Sequence, residues 1–274
     1  PKTSSAASDV YKRQFVDCSL ETNFKLTGES LDKVITKNSK WLILNSPSNP
    51  TGSCYSISEL EEIANVVRKH ENLYVMTDDI YEYIVYDNFK FYTLAQVAPD
   101  LKDRILTVNG VSKSYCMTGW RIGYAAGPSL LIKAMIKIQG QSTSNPSSIS
   151  QYAALAGISG SKEFLEPCLN AFDERRHHVV DKLNSINGIS CILPEGAFYA
   201  YPNVSGLIGK KTQNGKILNN DAEIVEWLLE SAEVAAVPGV AFGLEPYFRV
   251  SYATSLEVLK EAMNRIEKAV LTLS

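Results

Sequence analysis

Residues 105–128 have the sequence ILTVNGVSKSYCMTGWRIGYAAGP. Their pattern predicts a short apolar strand, a loop that carries Lys113, and a second apolar strand that runs through Gly123. Arg121 follows the lysine after eight positions. A lysine held in a tight loop between two buried strands can act as a nucleophilic amine that forms a Schiff base with an aldehyde. Loop lysines are more often simply solvated, so this interpretation needs support from the rest of the chain.

The region before this stretch alternates strand and helix patterns. Continuous apolar runs at 41–44 and 73–76 are typical of strands buried on both faces of a parallel sheet. A short helix is expected within 26–37, and Ser56 or Ser58 is expected to cap a longer one. This alternation predicts an α/β fold with a mostly parallel sheet and helices on both faces.

The region after it has a different organisation. Residues 161–186 have the pattern of one long amphipathic helix, which Pro167 is expected to kink or restart. We place a domain boundary along this helix, between a large domain at 15–170 and a small α+β domain at 171–274. The small domain is expected to contain strands at 190–193, 198–201, 235–237 and 248–252, and helices at 221–231 and from Ser255.

The first residues do not fit this organisation. Residues 1–14, PKTSSAASDVYKRQ, have neither a periodic apolar face nor the apolar centre of a signal peptide. We expect a leader that is disordered or artefactual and foreign to the domain.

Composition bounds the class of protein. The chain has 274 residues, is 45% hydrophobic and carries a net charge of −3, so neither nucleic acid nor a membrane is expected as a partner. No apolar run approaches the length of a membrane span. The five cysteines are scattered without a CxxC pair, and the three histidines lack metal-ligand spacing. These features indicate a reduced, cytoplasmic protein without a structural metal.

The lysine loop resembles a known family. Residues 112–124, SKSYCMTGWRIGY, resemble the lysine segment of the fold-type I pyridoxal-phosphate (PLP) enzymes, class I/II aminotransferases. The resemblance implies that Lys113 carries PLP as a Schiff base and that Arg121 binds the cofactor phosphate. Many members have a phosphate-binding serine three residues before the lysine, where this chain has Gly110. Ser112 or a residue in an N-terminal segment would then take that role.

Three upstream residues match further family motifs. Residues 49–52, NPTG, resemble a segment in which the asparagine contacts the cofactor ring oxygen and lies at the substrate site, which implies those roles for Asn49. Asp78 and Tyr81 match the family's Asp-x-x-Tyr. The resemblance implies that Asp78 keeps the pyridine nitrogen protonated and that Tyr81 hydrogen-bonds the ring oxygen. Taken singly, they suit a plain turn, a loop carboxylate and a half-buried aromatic equally well.

The C-terminal region adds a candidate for substrate binding. Arg249, within YFRVSYATS at 247–255, matches the family arginine that binds the substrate α-carboxylate in two-pronged fashion. Residues 194–199, PEGAFY, resemble the small-domain strand that approaches the substrate, where Phe198 is expected to pack rather than react.

These motifs follow the family order, and the segments at 141–146 and 237–243 resemble the bacterial aspartate (aspartate/prephenate) aminotransferase branch most closely. The resemblance implies a three-layer α-β-α large domain, a homodimer with 141–146 near its interface, and ping-pong amino transfer from aspartate to 2-oxoglutarate. Amino acids and 2-oxo acids are then the substrates. Family members carry a longer N-terminal portion, so the chain is expected to be truncated and inactive by itself.

Three alternatives stay open on these residues. The substrate could instead be prephenate, an aromatic amino acid or alanine. The same scaffold also serves carbon–sulfur lyases and cyclising synthases with nearly the same motifs. In a different class, an aminotransferase-like domain senses PLP or an amino acid within a transcription regulator.

Overall fold

The computed structural model describes residues 14–274, and all but the last residue of the predicted leader lies outside them. A four-stranded sheet contains β1 (Trp41–Asn45), β2 (Tyr74–Asp78), β3 (Ile105–Gly110) and β4 (Gly123–Ala126), in that order. The first three strands are parallel, and β4 pairs with β3 in the antiparallel sense. The predicted α/β class with a mostly parallel sheet is therefore confirmed, and the lysine loop is the connection between β3 and β4.

Three helices pack on one face of this sheet: α1 (Gly28–Val34), α2 (Ile57–Lys69) and α3 (Leu94–Val97). Ser56, rather than Ser58, caps α2, since its hydroxyl accepts from the amide of Glu59 while the Glu59 side chain accepts from the amide of Ser56. Side chains of α2 and of alternate strand positions form the core between helices and sheet: Leu60, Ile63, Val67, Val75 and Ile105.

The opposite face corrects one prediction. The first two strands were expected to be buried on both faces, but Trp41, Ile43 and Tyr74 are exposed, Ile43 by 66%. Successive strand residues point to opposite faces, and in β1 and β2 these three side chains lie on the face opposite α2. The helices α4 (Ser129–Ser142) and α5 (Ser148–Ser159) also leave apolar side chains exposed.

The predicted long helix is shorter than expected. It begins at Leu165 and ends at Ser185, so α6 spans Leu165–Ser185, and a start at residue 161 is wrong. Pro167 lies in the first turn, where its missing N–H has no intrahelical partner to lose. The proline therefore restarts the helical pattern after the break at Gly160, and does not kink it midway.

The C-terminal part has its own three-stranded antiparallel sheet, ordered β5 (Tyr199–Ala200), β7 (Phe248–Ser251) and β6 (Val237–Pro238). Helices α6, α7 (Asp221–Ala232) and α8 (Leu256–Val270) pack with it around a second core. The helix expected from Ser255 is α8, and the Ser255 hydroxyl caps it by accepting from the amide of Val258. The strand predicted at 190–193 is wrong, because its only pairing there is an isolated bridge between Ser190 and Asn203.

Two further properties concern residues 14–274. All five cysteines are free thiols. None of the helices in this range has both the length and the apolar character that crossing a membrane requires.

Candidate active site

The predicted pyridine partner, Asp78, is the last residue of β2, at the carboxyl edge of the parallel strands. This is the edge at which α/β sheets bind ligands. The carboxylate is half-buried and accepts a long hydrogen bond, 3.4 Å, from the amide of Ile80. Partial burial raises the pKa of Asp78, while the Ile80 amide and the nearby Lys113 ammonium oppose the rise. A carboxylate in this position is suited to pair with a cation.

The turn that carries Asn49 is tied to the same edge by Asn45, the last residue of β1. The Asn45 side-chain amide donates to the backbone carbonyl of Asp78 at 2.8 Å, and its oxygen accepts from the amide of Asn49 at 2.7 Å. Asn45 was not among the predicted site residues. A polar residue ending an apolar strand was the signal that could have identified it.

The turn closes against the C-terminal part of the chain at Gly52. This glycine has φ +72°, and a Cβ there would lie 2.4 Å from the Cβ of Pro194. Its carbonyl accepts a 2.7 Å hydrogen bond from the amide of Gly196. Only glycine combines the left-handed backbone with this close approach.

The lysine loop brings Lys113 toward two aromatic rings. Its Nζ atom lies 5.8 Å from the ring centres of both Tyr81 and Phe198. The loop is held by the amide of Cys116, which donates to the Lys113 carbonyl at 3.1 Å. Gly110 ends β3, where a Cβ would lie 3.3 Å from the Ile122 carbonyl oxygen, a close contact. Phe198 packs as expected, but it also forms part of the wall around the lysine.

Arg121 stands apart from this group. It lies two residues before β4 in a left-handed conformation, with φ +50°, and is exposed. Its guanidinium donates to the carbonyl of Thr118 at 2.9 Å. A phosphate role for Arg121 stays a prediction, as does that of the half-buried Ser112.

A chain of contacts connects Tyr81 with the predicted carboxylate-binding arginine. The Tyr81 and Tyr199 hydroxyls are 2.9 Å apart. The Arg249 guanidinium carbon lies 4.6 Å from the Tyr199 ring centre, and its Nη1 donates to Asn49 Oδ1 at 2.7 Å. Burial and the bond to Tyr199 raise the pKa of Tyr81. The structure thus brings together five of the six predicted residues, and Tyr199 is a member that sequence reasoning missed as a site residue.

The second sheet determines where Arg249 points. Arg249 lies on β7, opposite Val237 of β6, and its guanidinium packs 5.1 Å from the ring centre of Phe242. Two aromatic faces and one amide oxygen therefore hold a cation whose other N–H donors are available to a ligand.

The residues present fit PLP and an amino-acid carboxylate. The group offers an amine for the aldehyde, a carboxylate for the pyridine nitrogen, and hydroxyl and amide donors for the ring oxygen. Ser114, next to the lysine, has a buried hydroxyl that finds no partner among residues 14–274. A buried hydroxyl without a hydrogen-bond partner destabilises a protein core. The unpartnered Ser114 hydroxyl therefore suits a site that binds a polar ligand.

This fold and this group of residues define a fold-type I aminotransferase scaffold. The chain matches the family aminotransferase class I and II over residues 6–266, a match that begins within the predicted leader, and it belongs to that family. It is 55% identical over 252 residues to the aspartate/prephenate aminotransferase of Cereibacter sphaeroides, covering 92% of this chain and 63% of the relative.

Solved structures agree with this assignment. The aspartate aminotransferase of Rhizobium meliloti has a TM-score of 0.92 at 50% identity, with 94% of this chain and 64% of that one covered. An aromatic aminotransferase of Pyrococcus horikoshii has a TM-score of 0.84 at 37% identity, with coverage of 93% and 66%. The chain spans about 64% of the length of the curated relatives it matches.

Proposed function

We propose that the protein to which this chain belongs is a PLP-dependent aminotransferase that moves the amino group of aspartate to 2-oxoglutarate by a ping-pong reaction. One observation carries the proposal: Asn49, Asp78, Tyr81, Lys113 and Arg249 converge at the carboxyl edge of the sheet from positions spread over most of the chain. The names of the relatives support the choice of aspartate.

PLP, when bound, supplies an electron sink for the charge left at the substrate Cα. Lys113 would bind its aldehyde carbon and, once released, would carry a proton to and from Cα. Asp78 would hold the proton on the pyridine nitrogen, and a cation beside it would oppose the rise in its pKa that burial causes. Tyr81 would donate to the ring oxygen, and Arg121 would take the phosphate.

Asn49 can serve cofactor and substrate at once. Its side-chain oxygen is engaged by Arg249, which leaves the NH₂ group free to donate to the ring oxygen. This hydrogen bond also orients the guanidinium, so that the planar fork presents its remaining donors to an α-carboxylate. Asn49 and Arg249 would therefore act as a pair in substrate binding.

Prephenate is the second candidate substrate. Relatives that are more than half identical to this chain are named aspartate/prephenate aminotransferases. The same Arg249 fork would bind the α-carboxylate in either reaction, so the distal part of the substrate would separate the two. Comparing kcat/KM for 2-oxoglutarate and for prephenate as the amino acceptor would decide between them.

We further propose a cytoplasmic homodimer. The α4–α5 apolar face, which supports this assembly, consists of exposed side chains on the two helices: Leu130, Ile136, Ile138, Ile149, Tyr152 and Leu155. Faces of this kind mark interaction surfaces. The free thiols of all five cysteines suit a reducing compartment. Sedimentation equilibrium would test the dimer, and a monomer at all concentrations would contradict it.

The test of the cofactor role is an absorbance spectrum of the chain with PLP, before and after aspartate is added. Borohydride reduction followed by peptide mass spectrometry would locate the bound PLP. We expect a visible band that aspartate bleaches and a covalent adduct on Lys113. Lys113→Arg keeps the positive charge and serves as the matched control, which should show neither.

The outcomes separate the alternatives. An adduct on another lysine would contradict the assigned role. A band that aspartate leaves unchanged, with pyruvate and ammonia released from a cysteine conjugate without an amino acceptor, would indicate a carbon–sulfur lyase. A band that no amino acid converts to product would favour the sensor domain. If aspartate bleaches the PLP band but the chain then shows no catalytic turnover, the result would agree with the expected inactivity of the chain by itself.

A further inference from the structure

Tyr199 touches both halves of the candidate site, the cofactor residue Tyr81 and the carboxylate residue Arg249. It is 6% exposed and lies on β5, where it pairs with Ser251 of β7. Its hydroxyl is 2.9 Å from that of Tyr81, and its ring face lies 4.6 Å from the Arg249 guanidinium carbon. The ring is fixed by neighbours on its other sides, since Phe198 and Tyr81 contact it at centroid distances of 4.8 and 5.8 Å.

The proposed function determines which hydroxyl of the Tyr81–Tyr199 pair donates the hydrogen bond. A tyrosine hydroxyl carries one proton. If Tyr81 gives its proton to the ring oxygen of the cofactor, it can only accept in its bond with Tyr199, so Tyr199 must be the donor. Accepting a hydrogen bond polarises the Tyr81 hydroxyl and makes it a better donor in turn.

The ring of Tyr199 has a separate task. Arg249 reaches the site from β7 on a flexible side chain, and its charge needs stabilisation in partly buried surroundings. The Tyr199 face provides this by a cation–π contact and limits the guanidinium to one plane. The Asn49 oxygen then fixes its rotation within that plane.

We propose that Tyr199 is a positioning residue whose hydroxyl directs the Tyr81 proton to the cofactor and whose ring orients Arg249 toward the substrate carboxylate. The proposal rests on the proposed function and adds to it a physical coupling between the cofactor and carboxylate subsites. The two tasks use different parts of one side chain, so substitutions can separate them.

Two variants separate the tasks. Tyr199→Phe removes only the hydroxyl, and Tyr199→Leu also removes the aromatic face. The first readout is a spectrophotometric pH titration of the chain with bound PLP. The second is the dissociation constant of succinate, a carboxylate probe, from the PLP-bound chain. Tyr201→Phe is the matched control, because Tyr201 is equally buried but donates to the distant Leu244 carbonyl at 3.0 Å.

We expect Tyr199→Phe to raise the pKa of the PLP chromophore by roughly half a unit to one unit and to leave succinate binding unchanged. The loss of a donor to Tyr81 weakens the bond that favours the deprotonated chromophore. In a Tyr81→Phe background the same substitution should have no effect, since Tyr199 acts through Tyr81. Tyr199→Leu should in addition weaken succinate binding about three- to ten-fold.

A Tyr199→Phe titration identical to that of the parent, or an equal shift in the Tyr81→Phe background, would overturn the proposal. So would unchanged succinate binding in Tyr199→Leu. Urea unfolding of the cofactor-free chain provides a measurement that does not depend on PLP. If the effects of Tyr81→Phe and Tyr199→Phe on the free energy of unfolding are coupled, they support the hydroxyl pair even when the parent binds no PLP, whereas additive effects contradict it. Failure to bind PLP would count against the proposed function alone.

Discussion

Arg176 should be the most sensitive charged residue for the stability of this chain. Its side chain is fully buried on α6, yet it reaches the segment after β2. The guanidinium donates two parallel hydrogen bonds to Asp87, at 2.9 and 3.0 Å, and a third to the Pro194 carbonyl at 2.8 Å. It also pairs with Asp173 and stacks 4.3 Å from the Tyr86 ring centre. One cation thus joins three separate segments.

The expected loss follows from these contacts. Charge-assisted hydrogen bonds contribute about 1.5–3 kcal/mol each, and recovered hydration of the removed charge offsets part of that. Asp87 is 68% exposed and can be hydrated after the change, whereas the Pro194 carbonyl stays buried without a donor. We expect Arg176→Met to lower the free energy of unfolding by about 3 kcal/mol. Arg176→Lys should lose about 2 kcal/mol, because an ammonium cannot form the parallel pair.

Urea unfolding can measure this with the fluorescence of Trp227, which is buried in the same core. Arg175→Met is the matched control, since the neighbouring Arg175 only stacks on Phe172 and should contribute less than about 1 kcal/mol. A double-mutant cycle with Asp87→Asn should give a coupling of about 1–2 kcal/mol. If Arg176→Met costs no more than Arg175→Met, or the cycle shows no coupling, the reasoning is refuted.

Three further predictions concern the site edge and its supports. Burial raises the pKa of Asp79 to about 7, so the folded state keeps this proton longer than the unfolded chain and stability falls as pH rises from about 4 to about 7. Asp79→Asn should therefore stabilise the chain by about 2 kcal/mol more at pH 8 than at pH 5 in urea unfolding, and equal effects at both pH values would contradict this. Gly52→Ala should cost at least about 3 kcal/mol, from a left-handed backbone and a clash, whereas Gly209→Ala, with open space around it, should cost only about 1–2 kcal/mol of backbone strain. Similar unfolding free energies for the two glycine variants would argue against the tight turn. Ser56→Ala removes the cap of α2 and should lower the free energy of unfolding by about 1 kcal/mol, which a thermal melt shows as a lower melting temperature. Ser58→Ala is the control and should be nearly neutral. Equal melting temperatures for the two variants would mean that Ser56 is not the cap.

Much of the candidate site could be predicted from local sequence. Lys113 lies in a loop between two strands because apolar runs flank it, and Asp78 ends a strand because the apolar pattern stops there. The turn at 49–52 follows from its proline and glycine. Such features depend on neighbours along the chain, which is why pattern and spacing were enough. The same reasoning placed the start of α6 wrongly, because a proline fits the first turn of a helix as readily as it breaks the middle.

The sequence by itself therefore determined the chemical groups, their order and the kind of fold. Only the tertiary structure decided which of them meet. Tyr81 and Tyr199 are 118 positions apart, and Asn49 and Arg249 are 200 apart. No periodicity links residues at such separations, because their contact depends on how two sheets and the helices between them pack. The exposure of Ile43 and the position of Tyr199 between Tyr81 and Arg249 also depend on tertiary packing. Burial is set by what lies opposite a side chain in space and not by its neighbours in sequence.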